Sequence, residues 1–233
     1  MNFQNWMIVA AMISLTACLD TKDAPEPTPV GYINLYNAAP NDGSSLDIYL
    51  NDNKVNTTAF DYSKYSGYLN FPAGSNTLKF NQYNASTKLL ESTFNVDADK
   101  PYTFFIINEG TQLSTLILKD SSGVATAGKA RLRFIHLSPN PSLLVDLNLK
   151  VADTPDSTFF EGKSYKSASE FIEVPSKIYS LDLINKADGS VLTTLADVNL
   201  ESAKYYTIIA KGFDPGKIPT GNNNKITLQL LKN

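Results

Sequence analysis

The segment INLYNAAPNDGSSLDIYL at 33–50 returns as LRFIHLSPNPSLLVDLNL at 132–149. Pro40 matches Pro139, Asn41 matches Asn140, Asp47 matches Asp146 and Leu50 matches Leu149, all at one constant offset. A second block follows in the same order. YSKYSGYLNFP (62–72) aligns with YKSASEFIEVP (165–175), so that Tyr62 falls on Tyr165, Tyr68 on Phe171, Leu69 on Ile172 and Pro72 on Pro175. A third pairs PYTFFII (101–107) with YYTIIAK (205–211). Three blocks in one order divide the chain into two like units, 31–120 and 130–233. The stretch between them, 121–129, is rich in small residues and reads as their junction.

A fold for this chain must therefore be made twice from about 100 residues. Both copies read as strand. SLDIYLN, NTLKFNQY, STFNVDA and KITLQLL alternate apolar with polar residues, as a half-buried strand does. β-branched and aromatic residues dominate these runs, and Gly, Asn, Asp and Pro punctuate them. No stretch keeps a helical period for more than ten residues. Short strands with turns every 8–12 residues point to a β-sandwich per unit. The lack of crossover helices argues against a parallel α/β fold. With 42% apolar residues the chain can fill two cores. The expected fold is all-β: two tandem, antiparallel, Ig-like sandwiches.

The N-terminus has a different character. WMIVAAMISLTA (6–17) is an apolar run of about twelve, short of the roughly 20 residues that span a bilayer. It fits the apolar core of a secretory signal over 1–17, although MNFQN before it carries no Lys or Arg. Leu15, Thr16, Ala17 and Cys18 resemble the bacterial lipobox, in which small residues admit the signal peptidase and the cysteine receives lipid. Cys18 is the chain's only cysteine, which excludes an internal disulfide and a cysteine zinc framework. Residues 18–30 then read as a tether. Pro25, Pro27 and Pro29 favour polyproline II and forbid a helix. At ~3.1 Å per residue this segment reaches roughly 30–40 Å. Asp20 and Asp23 resemble the acidic export signal of Bacteroidetes lipoproteins. The expected location is the outer membrane, lipid-anchored and facing the cell surface.

The opening ARLRFIHLSPNPSLLVDLNL (130–149) resembles the start of DUF4397 domains, and NFPAGSNTLKF (70–80) resembles a later element of theirs. Two departures stand out. Lys177 occupies a usual glycine position in EVPSKIYSLDL, and Asn37 replaces the histidine found at His136. The resemblance covers nearly the whole chain after the tether, as two tandem copies. It implies a bacterial, secreted, all-β and lipid-anchored protein, with no known catalytic activity.

The chemistry-bearing residues are few. A net charge of −3 gives no basic footprint for nucleic acid. Asp47 and Asp146 sit between apolar neighbours, where each either faces out or accepts N–H groups from the preceding turn. Asp42 with Asp47 would start a cation site, but NDGSSLD is not an EF-hand loop and the second copy has no Asp42 equivalent. No metal or cofactor is expected. His136, the only histidine, shares a face with Ser138. The first copy has Asn37 and Ala39 there, so the pair reads as turn geometry rather than catalysis. Tyr62 and Tyr68 read as packing. Tyr65, matched by Ala168, is the freer ring and a candidate platform for sugars. Asn222, Asn223 and Asn224 lie in the loop DPGKIPTGNNNK, unique to the second copy, and are further candidate ligand contacts. Ser157 in DST resembles an O-glycosylation site. The expected protein is a non-enzymatic, lipid-anchored envelope protein. Its partner is a polysaccharide or an outer-membrane protein. The alternative is a structural accessory subunit of an outer-membrane uptake complex.

Overall fold

A computed structural model describes residues 27–41, 45–109, 112–120, 124–151 and 157–233. The signal segment, Leu15, Thr16, Ala17, Cys18, the tether before Pro27 and Asp42 lie outside these. Eight strands form the first unit: β1 (Val30–Asn37), β2 (Leu46–Leu50), β3 (Asn53–Lys54), β4 (Tyr65–Pro72), β5 (Gly74–Gln82), β6 (Lys88–Val96), β7 (Pro101–Glu109) and β8 (Gln112–Lys119). The second unit repeats them as β9 (Lys129–His136), β10 (Val145–Lys150), β11 (Ser157–Lys163), β12 (Ile172–Pro175), β13 (Ile178–Asn185), β14 (Val191–Asn199), β15 (Tyr205–Lys211) and β16 (Thr227–Lys232).

The strand order is the same in both. The inner sheets run β4-β1-β7-β8 and β12-β9-β15-β16, and the outer sheets β3-β2-β5-β6 and β11-β10-β13-β14. Between these strands pairing is antiparallel except at one place in each unit. β1 lies parallel to β7 and β9 parallel to β15. The two parallel registers correspond: Tyr32 faces Pro101 through to Asn37 and Ile106, and Arg131 faces Tyr205 through to His136 and Ala210.

Three apolar layers hold four sheets in a stack. One lies inside the first sandwich, with Ile33, Leu35, Phe104 and Ile106 of the inner sheet against Leu46, Leu78, Phe80 and Phe94 of the outer. A second lies inside the other sandwich, around Phe134, Leu147, Leu181 and Ile208. The third joins the units. Tyr36, Ala38, Phe105 and Ile107 pack there on Ile135, Leu137, Ile209 and Leu231. The central inner strands β1, β7, β9 and β15 are thus largely buried on both faces. That is why FFII and YYTIIAK run apolar without alternation, as parallel pairs covered on both sides do. The outer strand β10, VDLNLK, is covered on one side and alternates buried with half-buried residues.

The interface is built from matching positions of the repeat. Tyr36 and Ile135 correspond, as do Ala38 and Leu137, and Phe105 and Ile209. Each inner sheet therefore offers the other the same face, the arrangement seen across two-fold interfaces. One element departs from the repeat. Gly212 follows β15 at φ +90°, where an added Cβ would strike the Lys225 carbonyl. Only glycine allows this turn at so close an approach. From it the 214–225 loop crosses to the first unit, where the Asn222 and Asn224 amides both donate to the Pro40 carbonyl at 2.7 Å.

Candidate ligand groove between the two units

A serine at the same place in each repeat shapes the strand that borders the site. Ser66 Oγ accepts the Leu35 N–H (2.9 Å) and donates to the Gly67 carbonyl; Ser169 Oγ accepts the Phe134 N–H (3.0 Å) and donates to the Glu170 carbonyl. In both units the hydroxyl replaces a main-chain acceptor where the strand bends. In the second unit the bend carries Glu170 and Phe171 to the junction.

The chain's only two arginines, Arg131 and Arg133, alternate along β9 with buried apolar residues and so share the face turned to the first unit. Arg133 is sealed. Its Nη2 lies 2.5 Å from Asp120 Oδ1. Nη1 donates to the Lys119 carbonyl (3.3 Å), and both Nε and Nη2 reach Thr207 Oγ1. Asp120 Oδ2 also accepts the Tyr68 and Thr103 hydroxyls at 2.8 and 2.7 Å. Burial, reinforced by the Asp120 charge, pushes the Tyr68 phenol well above its ordinary range. The ion pair bridges the units, and its remaining valences are met by side chains from both.

Above it opens a groove of about 520 Å³, lined by Leu118, Lys119 and Asp120 of the first unit and by Arg131, Arg133 and Ala168 to Phe171 of the second. Phe171 forms its aromatic wall. The Arg133 guanidinium lies 4.6 Å from its ring centroid, and Tyr205 meets it edge-on at 5.4 Å. Arg131 stands beside it with a side chain 35% exposed. Its nearest anion is Glu173, at 3.7 Å from Nε, and among the described residues Nε has no hydrogen-bond acceptor.

A second, smaller groove of about 280 Å³ lies in the first unit, between Tyr65, Ser66 and Leu69 of β4 and the segment from Val55 to Phe60. Tyr65 is 56% exposed at its rim. The Asn loop is elsewhere. Asn222 is buried with its amide on Pro40, Asn224 is half-buried on the same oxygen, and Asn223 is exposed. Ser157 is exposed at the start of β11. Tyr62 is half-buried under Lys211, whose Nζ lies 4.6 Å from the ring and donates to Ser63 Oγ.

Asp47 and Asp146 are each held by groups outside the preceding turn. Asp47 pairs with Lys54 (2.8 Å) and accepts the Asn84 N–H from the hairpin after β5. Asp146 accepts the Gly162 N–H from β11 and pairs with Lys186. Among the described residues no three His, Cys, Asp or Glu side chains are placed to hold a metal ion.

His136 is wholly buried, and its Nδ1 accepts the Ser138 N–H at 3.4 Å. Asn37 does the same in the first unit, its Oδ1 accepting the Ala39 N–H at 3.1 Å. Both residues close the turn after the first strand of their unit. Ser138 is equally buried, so neither side chain reaches the surface. Burial pushes the imidazole down from 6.5 to about 4. The folded ring stays neutral while the unfolded chain takes up a proton below pH 6.5. Stability from this group is complete above 6.5, falls as pH drops toward 4, and levels off below. The loss amounts to ~3 kcal/mol. His136→Asn retains an acceptor for the Ser138 N–H. Urea midpoints at pH 7 and pH 4.5 are expected to differ less in this variant than in the parent.

The arginine pair, Asp120 and Phe171 were missed by reading the sequence for motifs. A signal was present: two arginines two apart inside the apolar run ARLRFIHL place two fixed cations on one face of a strand otherwise suited to a core.

The family described as a domain of unknown function (DUF4397) matches residues 31–147, which takes in the first sandwich and reaches into β10. A search of curated proteins finds no match. Among solved structures the chain is similar to CBMbc, a family CBM26 module from Eubacterium rectale Amy13K in complex with maltoheptaose. The identity is 10%, the cover 88% of this chain and 97% of that one, and the TM-score 0.27.

Proposed function

We propose, from the premise that this chain belongs to the DUF4397 family, that it is a non-enzymatic envelope protein, moored by lipid on Cys18, whose two sandwiches jointly bind a glycan. The second sandwich is, on this reading, a second copy of the family domain. One observation carries the binding claim: the groove at the junction takes walls from both units. Its volume is that of a small-ligand site, commonly ~300–1,000 Å³. Phe171 offers an aromatic face of the kind on which sugar C–H groups stack. Ser169, Glu170, Lys119 and Arg131 supply donors and acceptors around it. The tether would hold this groove clear of the membrane, and Ser157 would carry a glycan of its own.

Two measurements test the reading. Full-length chain is expected in the membrane fraction, and a Cys18→Ala variant in the soluble fraction. Purified protein is expected to retain members of an oligosaccharide panel, and Phe171→Ala to weaken retention up to about 10-fold, the scale of one lost stacking contact. Retention of no glycan, with co-purification of a β-barrel transporter instead, would favour the accessory-subunit role.

A further inference from the structure

We infer that the glycan taken by this groove is acidic, and that Arg131 selects it by gripping a carboxylate. The inference rests on the glycan-binding reading above and names the ligand class for the same site.

The argument starts from which cations the groove leaves free. Arg133 is consumed: all three of its nitrogens are occupied by Asp120, Thr207 and the Lys119 carbonyl, and its guanidinium carbon lies 4.6 Å from the Phe171 ring centroid. Lys119 lies 3.3 Å from Asp97, which also accepts the Tyr102 hydroxyl. Arg131 differs from both. Among the described residues its one ion-pair partner, Glu173, is already committed: it accepts the Thr126 N–H and hydroxyl and pairs with Lys129 at 3.3 Å. At 3.7 Å it satisfies charge but makes no hydrogen bond with Arg131. Among the described residues the Arg131 Nε has no acceptor and is closed to solvent, so the part of this 35% exposed side chain that a ligand reaches is the outer end of the guanidinium.

The residue type narrows the ligand. Eighteen of the 20 basic residues are lysine, and both arginines line this groove. A guanidinium presents parallel donors that match a planar carboxylate two-to-two, which an ammonium cannot do. Phe171 stands beside it as a surface for a sugar ring. The Glu170 carboxylate, on the same wall, can accept sugar hydroxyls and disfavours a ligand whose charge is not met by Arg131. The matching ligand is a saccharide of uronic-acid units: a ring face for Phe171, hydroxyls for Glu170 and Ser169, and a carboxylate for Arg131.

The test uses the purified chain, titrated calorimetrically with oligogalacturonate and oligoguluronate, and with malto- and xylo-oligosaccharides as neutral probes. Wild type is expected to prefer at least one uronate series. Arg131→Gln should weaken uronate binding about 10- to 100-fold, far more than it weakens any neutral binding. Arg131→Lys should recover little of the loss. Glu173→Gln, which removes the competing anion, should tighten uronate binding; it also controls for a merely structural part of Arg131 in the ion pair. If neutral and acidic oligomers bind equally, or if Arg131→Gln changes both alike, the inference is overturned while the glycan-binding reading stands. If no saccharide binds, both are overturned.

Discussion

Asp120→Ala is expected to cost about 3–5 kcal/mol of folding stability, because it leaves a buried guanidinium without its counter-ion. The Arg133 and Asp120 side chains are 4% and 1% exposed, so water cannot replace the lost carboxylate without opening the junction. The Tyr68 and Thr103 hydroxyls lose their acceptor in the same step. The double variant Asp120→Leu/Arg133→Met should lie near the parent, since a buried pair contributes little net stability but a broken one is penalised heavily. Urea unfolding checks both. The midpoint of the single variant should fall steeply, and that of the double should largely recover.

Phe105→Ala is expected to cost a similar ~3–5 kcal/mol, by a different mechanism. Phe105 is fully buried in the layer between the units, 5.7 Å from the Tyr36 ring and packed among Ile135 and Ile209. Truncation removes transfer energy and leaves a cavity that two sheets facing each other close only in part. The second effect is more telling. If the sandwiches were independent beads, this substitution in the first would leave the second untouched. A shared layer makes the amides of β13 and β15, in the second unit, exchange faster as well. Native-state hydrogen exchange resolves the two cases.

Much of this architecture was legible in the repeat. The three aligned blocks place β1, β4 and β7 on β9, β12 and β15, and the parallel registers of the two units agree residue for residue with that alignment. Alternation marked the outer strands because they are covered on one side only. The inner strands were harder to interpret. PYTFFII announces burial on both faces but cannot say that the second cover is the other unit, since any apolar layer would satisfy it. The same ambiguity hid the parallel pairing, which leaves no local signature in a strand.

The site was less legible than the fold, for physical reasons. Asp120 follows β8 and Arg133 lies within β9, near in sequence, yet their pairing depends on how two sheets stack. The Asn-rich loop looked like free surface from composition. What decides its role is Gly212, whose left-handed turn aims the loop at Pro40 and commits Asn222 and Asn224 to bracing. Asp47 and Asp146 invited a local explanation through the preceding turn, but their N–H donors, Asn84 and Gly162, come from other strands and hairpins. His136 went the other way. Its match to Asn37 pointed to a turn-closing role, and the two side chains make equivalent bonds.

The central claim is that one ligand site is assembled from both sandwiches. Hydrogen–deuterium exchange on the purified chain, with and without a saturating oligosaccharide, tests it most directly. The account predicts protection in two separate stretches at once, around Leu118–Asp120 and around Ala168–Phe171. Protection confined to one unit, or none at either stretch, would contradict it.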